Sequence, residues 1–235
     1  MKHLMGQAIW DYYHNNSPQD MLTETNISKM DIFRTAHLFR DYENMPEIEQ
    51  KALDMSWGKV LDVGAGAGSH SLYLQNQKGL EVTALDVSQK SIEVCRLRGI
   101  KKTVCTQLLD YDGDGEKFDT ILLMMNGTGI FEEYNKIGLY LRKLYDLLND
   151  DGQILIDGSD IIYMYGTSNG ATLPADRYYG EVDYHLYYKG EKENDFKWLY
   201  LDYLSLEEEA ETIGLTAEVL MDEDFAYLAR LKKDR

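Results

Sequence analysis

The chain has 235 residues, enough for one sizeable domain with an insertion or a cap. Its 24 Lys and Arg against 41 Asp and Glu leave a formal charge of −17, which repels a phosphate backbone and excludes nucleic acid as an expected partner. An apolar share of 44% excludes bulk disorder, no apolar run reaches the roughly 18 residues of a membrane span, and the start lacks the apolar core of a secretory signal, so a cytoplasmic protein with no membrane partner is expected.

Residues 1–55 read as an N-terminal cap, with an amphipathic stretch over Gln7–Tyr13, a polar break at residues 14–18 and short pieces ending at Met45-Pro46. From Lys59 the pattern changes to short apolar runs separated by helical stretches, which predicts parallel strands joined by right-handed crossovers, an α/β sheet. The predicted strands are Lys59–Val63, Glu81–Asp86, Lys102–Leu108, Phe118–Met125 and Gln153–Asp157. Helices are predicted at Ser69–Gln77, Gln89–Arg98 and Tyr134–Leu148, the second with Ser88 as N-cap and Gly99 as stop. After Asp160 this rhythm ends, and residues 161–203 carry nine of the eighteen tyrosines. Within that insertion, Tyr184–Lys189 and Phe196–Tyr203 flank a polar turn and predict an antiparallel hairpin. Ser205, three residues before Glu208, matches a capping box that opens a helix. Two runs, Thr216–Met221 and Phe225–Leu231, are expected to close the sheet as an antiparallel pair. The expected organisation is thus one domain over 1–235: a cap to residue 55, a core over 56–160, a hairpin insertion over 161–204, and a C-terminal helix and strand pair over 205–235. Between Glu181 and Asp224 fourteen acids stand against three lysines, which reads as a solvated, anion-repelling face.

The segment Val60-Leu61-Asp62-Val63-Gly64-Ala65-Gly66-Ala67-Gly68-Ser69 is an apolar strand ending in a Gly-x-Gly-x-Gly turn that opens a helix. Glycine there lets the backbone turn tightly and approach a ligand where a Cβ would collide, although such turns also serve packing alone. The next strand ends in Asp86, 22 residues after Gly64, where related folds place an acid that accepts both hydroxyls of a ribose. Ser69 stands where a dinucleotide fingerprint wants its third Gly or Ala, and Asp62 would sit badly beside a pyrophosphate but well beside an ammonium group. The ligand favoured is a nucleoside bearing an amino acid and no phosphate.

These residues resemble class I S-adenosylmethionine-dependent methyltransferases, in their small-molecule branch. Val60–Gly68 looks like the family's first motif, and Leu85-Asp86-Val87-Ser88 like its second-strand motif. The resemblance covers residues 57–160 and the C-terminal strand pair. It implies a Rossmann-like, doubly wound seven-stranded sheet with an antiparallel C-terminal pair, an N-terminal helical cap and the inserted β-hairpin. It also implies S-adenosyl-L-methionine as cofactor, S-adenosyl-L-homocysteine as product and a small-molecule methyl acceptor as partner. Carried over by position, Gly64, Ala65 and Gly66 lie against the methionine moiety and ribose, Asp62 faces the ammonium, Asp86 the ribose and Val87 the adenine. Asp110 and Tyr111 follow the third strand on the adenine side, and Met125 ends the fourth beside cofactor and substrate. The fourth run lacks the Asn/Asp-Pro-Pro-aromatic sequence of amino-group nucleic-acid methylases, in agreement with the charge.

Methyl transfer from a sulfonium needs alignment and exclusion of water more than side-chain chemistry, so few obligatory catalytic residues are expected. The candidate acceptor pocket comprises Tyr13, Arg40, Asn126, Asp157 and His185, with Asn126 orienting, Asp157, Asp160 or His185 available as a base and Arg40 or Arg34 as an anion clamp. Trp10 and Tyr12 accompany Tyr13 on a cap helix that closes over the cofactor, and the insertion's tyrosines either line the pocket or pack the sheet. Cys95 and Cys105 show no metal-ligand or disulfide spacing, and no metal is expected. Three rival readings stay open: a non-catalytic binder of the same cofactor, a protein methyltransferase and a nicotinamide-dependent oxidoreductase. The sequence does not fix the oligomeric state.

Overall fold

The computed structural model describes residues 2–166 and 172–234. In chain order the elements are α1 (Leu4–Tyr13), β1 (Met21–Thr25), β2 (Asp31–Phe33), α2 (Glu47–Met55), β3 (Lys59–Val63), α3 (Ser69–Asn76), β4 (Glu81–Asp86), α4 (Gln89–Leu97), β5 (Lys102–Cys105), β6 (Phe118–Leu123), α5 (Ile137–Leu147) and β7 (Leu148–Ser159). They are followed by β8 (Glu181–Tyr188), β9 (Glu191–Lys192), β10 (Phe196–Leu199), α6 (Tyr203–Ile213), β11 (Leu215–Glu223) and β12 (Ala226–Lys233).

Seven strands form a sheet in the order β11-β12-β7-β6-β3-β4-β5. The five from β5 to β7 pair in parallel and β12 and β11 close the edge antiparallel, as the class I methyltransferase fold requires. Its central parallel strands are largely apolar on both faces because helices cover both. On one face Leu61, Ile121, Leu123 and Ile156 pack with Leu141 and Leu144 of α5; on the other Val60, Val82, Leu122 and Leu155 pack with Leu53 of α2 and Leu74 of α3.

The cap and the insertion, expected as separate pieces, form one second sheet. Strand β8 pairs antiparallel with β10 (Tyr184 opposite Phe196) and, on its other edge, with β1 of the cap (Leu22 opposite Tyr187), while β2 extends the order to β10-β8-β1-β2 and β9 adds a short pairing to β8. The cap is therefore helical only in part. On one face of β8 Val182, Leu186 and Tyr188 are buried and Tyr184 is half-buried, and Tyr184, Leu186 and Tyr188 pack with Met21, Ile9 of α1, Ala67 of the glycine turn and Val94 of α4. Helix α1 approaches α4 so closely that a Cβ on Gly6 would lie 1.8 Å from Ser88 Oγ.

Two local details differ from expectation. Helix α6 is capped by Asp202, whose Oδ1 accepts the Ser205 N–H at 3.0 Å, and Ser205 instead donates its hydroxyl to Asp202 Oδ2 at 2.7 Å. Glu193, in the turn expected to be solvated, is buried and accepts the N–H groups of Lys2 and Leu4 at 2.6 and 2.8 Å, where a carboxylate offsets the exposed N–H groups and dipole of α1.

Candidate active site

The crevice lies at the carboxyl ends of β3, β4 and β6, where open α/β sheets bind ligands. Leaving β3, the chain bends back so that Gly64 and Ala65 both donate to the Leu85 carbonyl, at 2.9 and 3.0 Å. Gly64, Gly66 and Gly68 have φ of 77°, 56° and 82°, a left-handed conformation that glycine adopts without strain. The last two serve different ends. A Cβ on Gly66 would meet nothing nearer than the Gly64 carbonyl at 3.9 Å, so the space beside it is open, whereas a Cβ on Gly68 would lie 2.3 Å from Ile100 Cδ1 and 3.0 Å from Cys95 Sγ.

Asp86 closes the turn: its Oδ2 accepts the Gly66 N–H at 2.9 Å and its Oδ1 the Ser88 N–H at 2.8 Å. Each oxygen keeps a second lone pair, so the carboxylate can accept two further donors. Burial pushes its carboxyl up to about 6, against the downward pull of the Ser88 and Gly66 N–H groups. Val87, 45% exposed, presents an apolar surface beside it, and the Cys105 thiol reaches the Val87 carbonyl. Asp110 is exposed in a 3-10 turn after β5, but Tyr111 turns inward, buried beside Phe118 in the main core, with a hydroxyl that has no partner.

Beneath the turn lies a charged cluster that sequence reading named only in fragments. Asp62 is buried and accepts the Ser71 hydroxyl at 2.6 Å; burial raises its carboxyl, while His70 and Ser71 pull the other way. His70 Nε2 lies 2.7 Å from Glu49 Oε2, and Arg40 bonds Glu49 Oε1 from the other side. Burial draws the His70 imidazole down, yet the Glu49 hydrogen bond and the charges of Asp62 and Glu49 outweigh it and hold the ring above its ordinary value. Burial likewise raises Glu49, and the His70 and Arg40 contacts more than compensate. Glu49 went unnoticed because it sits in an ordinary acidic first turn of α2, Glu47–Met55, and its partners lie 9 and 21 residues away. Arg40 is thus engaged within the protein, whereas Arg34 is exposed.

At the end of β6, Met125 and Asn126 are consecutive non-glycine residues with left-handed φ of 66° and 60°, a conformation costing about 1–3 kcal/mol each and characteristic of functional sites. Asp157, at the end of β7, holds this turn: Oδ2 accepts the Asn126 N–H at 2.9 Å and Oδ1 the Gly127 N–H at 2.7 Å, and burial pushes its carboxyl up to about 6. Asn126 Nδ2 and Thr128 Oγ1 both donate to the Leu199 carbonyl, at 3.1 and 3.2 Å, tying β10 to the turn. Trp198 packs directly on Gly129, where a Cβ would lie 1.9 Å from the indole. Met125 joins the cluster between glycine turn and second sheet.

Other expected pocket residues lie elsewhere. His185 is on the face of β8 opposite the buried one, paired with Asp195 at 2.8 Å, which removes it from the crevice. Tyr13 is 39% exposed with its hydroxyl on the Leu97 carbonyl, a seam contact between α1 and α4, while Tyr12 stacks on Phe39. Asp160 ties its own loop, accepting the Ile162 N–H and the Tyr179 hydroxyl. Both cysteines are free, Cys95 buried and Cys105 exposed. Among the described residues no group of three or more His, Cys, Asp or Glu could hold a metal, and no helix is long and apolar enough to cross a membrane.

Comparison with known proteins bears directly on this crevice. The family described as methyltransferase domain matches residues 60–152, the segment that runs from β3 into β7. No curated protein matches the chain. Among solved structures, a CcbJ methyltransferase from Streptomyces caelestis (14% identity, TM-score 0.64, 83% of this chain and 95% of that one) and an S-adenosylmethionine-dependent methyltransferase from Clostridium acetobutylicum (14%, 0.61, 83% and 93%) share the fold. An S-adenosylmethionine-dependent methyltransferase from Bacteroides fragilis, solved with S-adenosyl-L-homocysteine, is similar throughout: 39% identity and a TM-score of 0.90 over 98% of this chain and 94% of that one. Likeness of that extent, cap and second sheet included, shows that the chain belongs to the S-adenosylmethionine-dependent methyltransferases.

Proposed function

We propose that this methyltransferase acts on a small-molecule acceptor, with the cofactor lying across the glycine turn and the acceptor entering between the end of β6 and the second sheet. The residues fit the cofactor. The open space at Gly66 suits a ligand pressed against the backbone, and the spare lone pairs of Asp86 suit the two ribose hydroxyls. The exposed Val87 side chain offers the adenine an apolar face, and Asp110 stands on the same end of the sheet as a candidate acceptor for its amino group. Asp62, buried beneath the turn with the Ser71 hydroxyl on it, stands on the side expected for the methionine ammonium, with Gly64 and Ala65 beside it. Tyr111, by its buried position, would support this wall from behind.

Bound S-adenosylmethionine supplies a methyl group made electrophilic by its sulfonium. The chain's part is to align and to exclude water. Asp157 fixes the turn that carries Asn126, and the aromatic side chains of the second sheet cover it. Asp157 is buried and holds the Asn126 and Gly127 N–H groups, one on each oxygen, which anchors the turn. The observation that carries the small-molecule reading is the covering itself: among the described residues, Leu186, Tyr188 and Tyr184 of β8 cluster with Ala67 and Met125, and Trp198 packs on Gly129, so the second sheet lies over the glycine turn and the end of β6. The test is formation of S-adenosylhomocysteine from S-adenosylmethionine in the presence of either a panel of small amines, alcohols, acids and thiols or a set of basic proteins. Turnover with a small molecule supports the reading; turnover with basic proteins alone overturns it.

A further inference from the structure

We infer that Glu49 is a positioning residue for the cofactor: through His70 it fixes the start of α3, and so the wall against which the methionine moiety lies. This rests on the reading of the crevice given above. A turn built on glycines with left-handed φ at 64, 66 and 68 has little conformational preference of its own, so contacts from outside it decide whether it is preorganised for a ligand. On the ribose side Asp86 provides them, with one oxygen on the Gly66 N–H and the other on the Ser88 N–H.

On the methionine side they come from α3. That helix opens at Gly68 without a side-chain cap, and its first three residues are instead each fastened to a different part of the protein. Ser69 donates its hydroxyl to the Leu38 carbonyl of the cap at 2.9 Å, His70 Nε2 lies 2.7 Å from Glu49 Oε2 of α2, and Ser71 donates to Asp62 Oδ2 of β3 at 2.6 Å. The middle tie reaches furthest, because Arg40 holds the other oxygen of Glu49 and so joins cap, α2 and α3. The Glu49 side chain is only 4% exposed, so its route to a ligand runs through His70. The pair also stands between the two turns that border the crevice: burial raises the carboxyls of both Asp62 and Asp157, and on each of them His70 pulls the other way. A buried charge network is a weak source of net stability, because desolvation offsets the attraction; what this one supplies is a fixed geometry.

Glu49→Gln is the direct perturbation, because its amide has one acceptor oxygen where the carboxylate has two and cannot serve His70 and Arg40 together. The two probes are S-adenosylhomocysteine and 5′-methylthioadenosine, which keeps the adenine, ribose and sulfur but lacks the amino-acid part. Both dissociation constants would be measured on the full chain at pH 7, the first by calorimetry and the second by displacement of the first, below the Tm of each protein. In Glu49→Gln, S-adenosylhomocysteine is expected to weaken at least about tenfold, the scale of a charge-assisted hydrogen bond. Methylthioadenosine is expected to stay within about threefold of wild type, because its contacts on the Asp86 side share no partner with Glu49. Arg40→Met, which removes only the outer partner, takes its place if Glu49→Gln does not fold, with the same selective loss expected. Equal weakening of the two ligands would mark a structural role alone and overturn the inference, as would an unchanged S-adenosylhomocysteine affinity. Methylthioadenosine that displaces nothing from the wild type at millimolar concentration also counts against it, since the two halves of the site would then not be separable. Failure of both ligands to bind the folded wild type would instead overturn the cofactor site itself.

Discussion

Gly66 and Gly68 belong to the same turn, share a left-handed backbone and differ in what lies beside them, so replacing each with alanine separates binding from folding. Gly66→Ala places a Cβ in open space, with the Gly64 carbonyl at 3.9 Å, and its only folding penalty is the left-handed conformation, about 1–2 kcal/mol. For a chain of this size that corresponds to a fall in Tm of about 2–8 °C. The methyl group would stand where the cofactor backbone is proposed to lie, so S-adenosylhomocysteine affinity is expected to fall at least tenfold. Gly68→Ala carries the same conformational penalty, and its Cβ would also press on Ile100 Cδ1 at 2.3 Å and Cys95 Sγ at 3.0 Å. Overpacking adds about 1–3 kcal/mol, for a total near 2–5 kcal/mol and a Tm fall of about 4–20 °C. Its cofactor affinity, measured well below that Tm, should stay within a few-fold of wild type. Thermal unfolding by circular dichroism and calorimetric titration give both quantities. A Gly66→Ala protein that binds as tightly as wild type would refute the argument, because the space at Gly66 would then not be the cofactor's.

Asp86→Asn should weaken S-adenosylhomocysteine by about 10- to 100-fold, the scale of charge-assisted hydrogen bonds, with little change in Tm. Because burial pushes the Asp86 carboxyl up to about 6 and the ionised form is the acceptor, cofactor affinity should rise as pH increases from 5 to 7 and then level off, and the asparagine variant should lack that rise. Asp157, also pushed up to about 6, favours the folded state most when protonated; its contribution is present at about pH 4 and lost as pH rises through 6, so Asp157→Asn should flatten that part of the stability-pH curve measured by urea unfolding. Glu49→Gln breaks a buried ion pair, at a cost of about 3 kcal/mol. His70, held above its ordinary value, contributes stability that is complete below about pH 6.5 and lost as pH rises through its folded value. In Glu49→Gln its titration, followed by NMR of the ring carbons, should move downward.

The parts legible in the sequence were those carried by local pattern. The run from Val60 to Gly68 and the acid at Asp86 announced a glycine turn beside an end-of-strand carboxylate, and the apolar rhythm from Lys59 onward placed five parallel strands, though Lys102–Leu108 ends early, at Cys105, and Gln153–Asp157 is the middle of a longer β7. Pairings between segments far apart in sequence were not legible. Nothing in Met21–Thr25 announces that it pairs with Tyr184–Tyr187, because a short half-exposed strand next to a polar loop has no distinctive period. The same holds for the Arg40–Glu49–His70 cluster and for Glu193 beneath α1: single charged residues look solvated until the fold buries them against partners. His185 shows the converse. Alternation with tyrosines marked it as a strand residue, but which face turns inward is decided by the packing of Leu186 and Tyr188 against α1, leaving His185 on the outside with Asp195. Asn126 was legible as the end of a strand, whereas its left-handed backbone and the unpartnered Oδ1 required the structure.

The most direct test of the central claim is calorimetric titration of the purified, cofactor-free chain with S-adenosylhomocysteine, run beside Asp86→Asn. The structure predicts a single saturable site per chain at micromolar affinity or tighter, clearly weakened in the variant. Saturable binding equal in the two proteins would move the cofactor away from Asp86, and no binding by a folded wild type would contradict the account altogether.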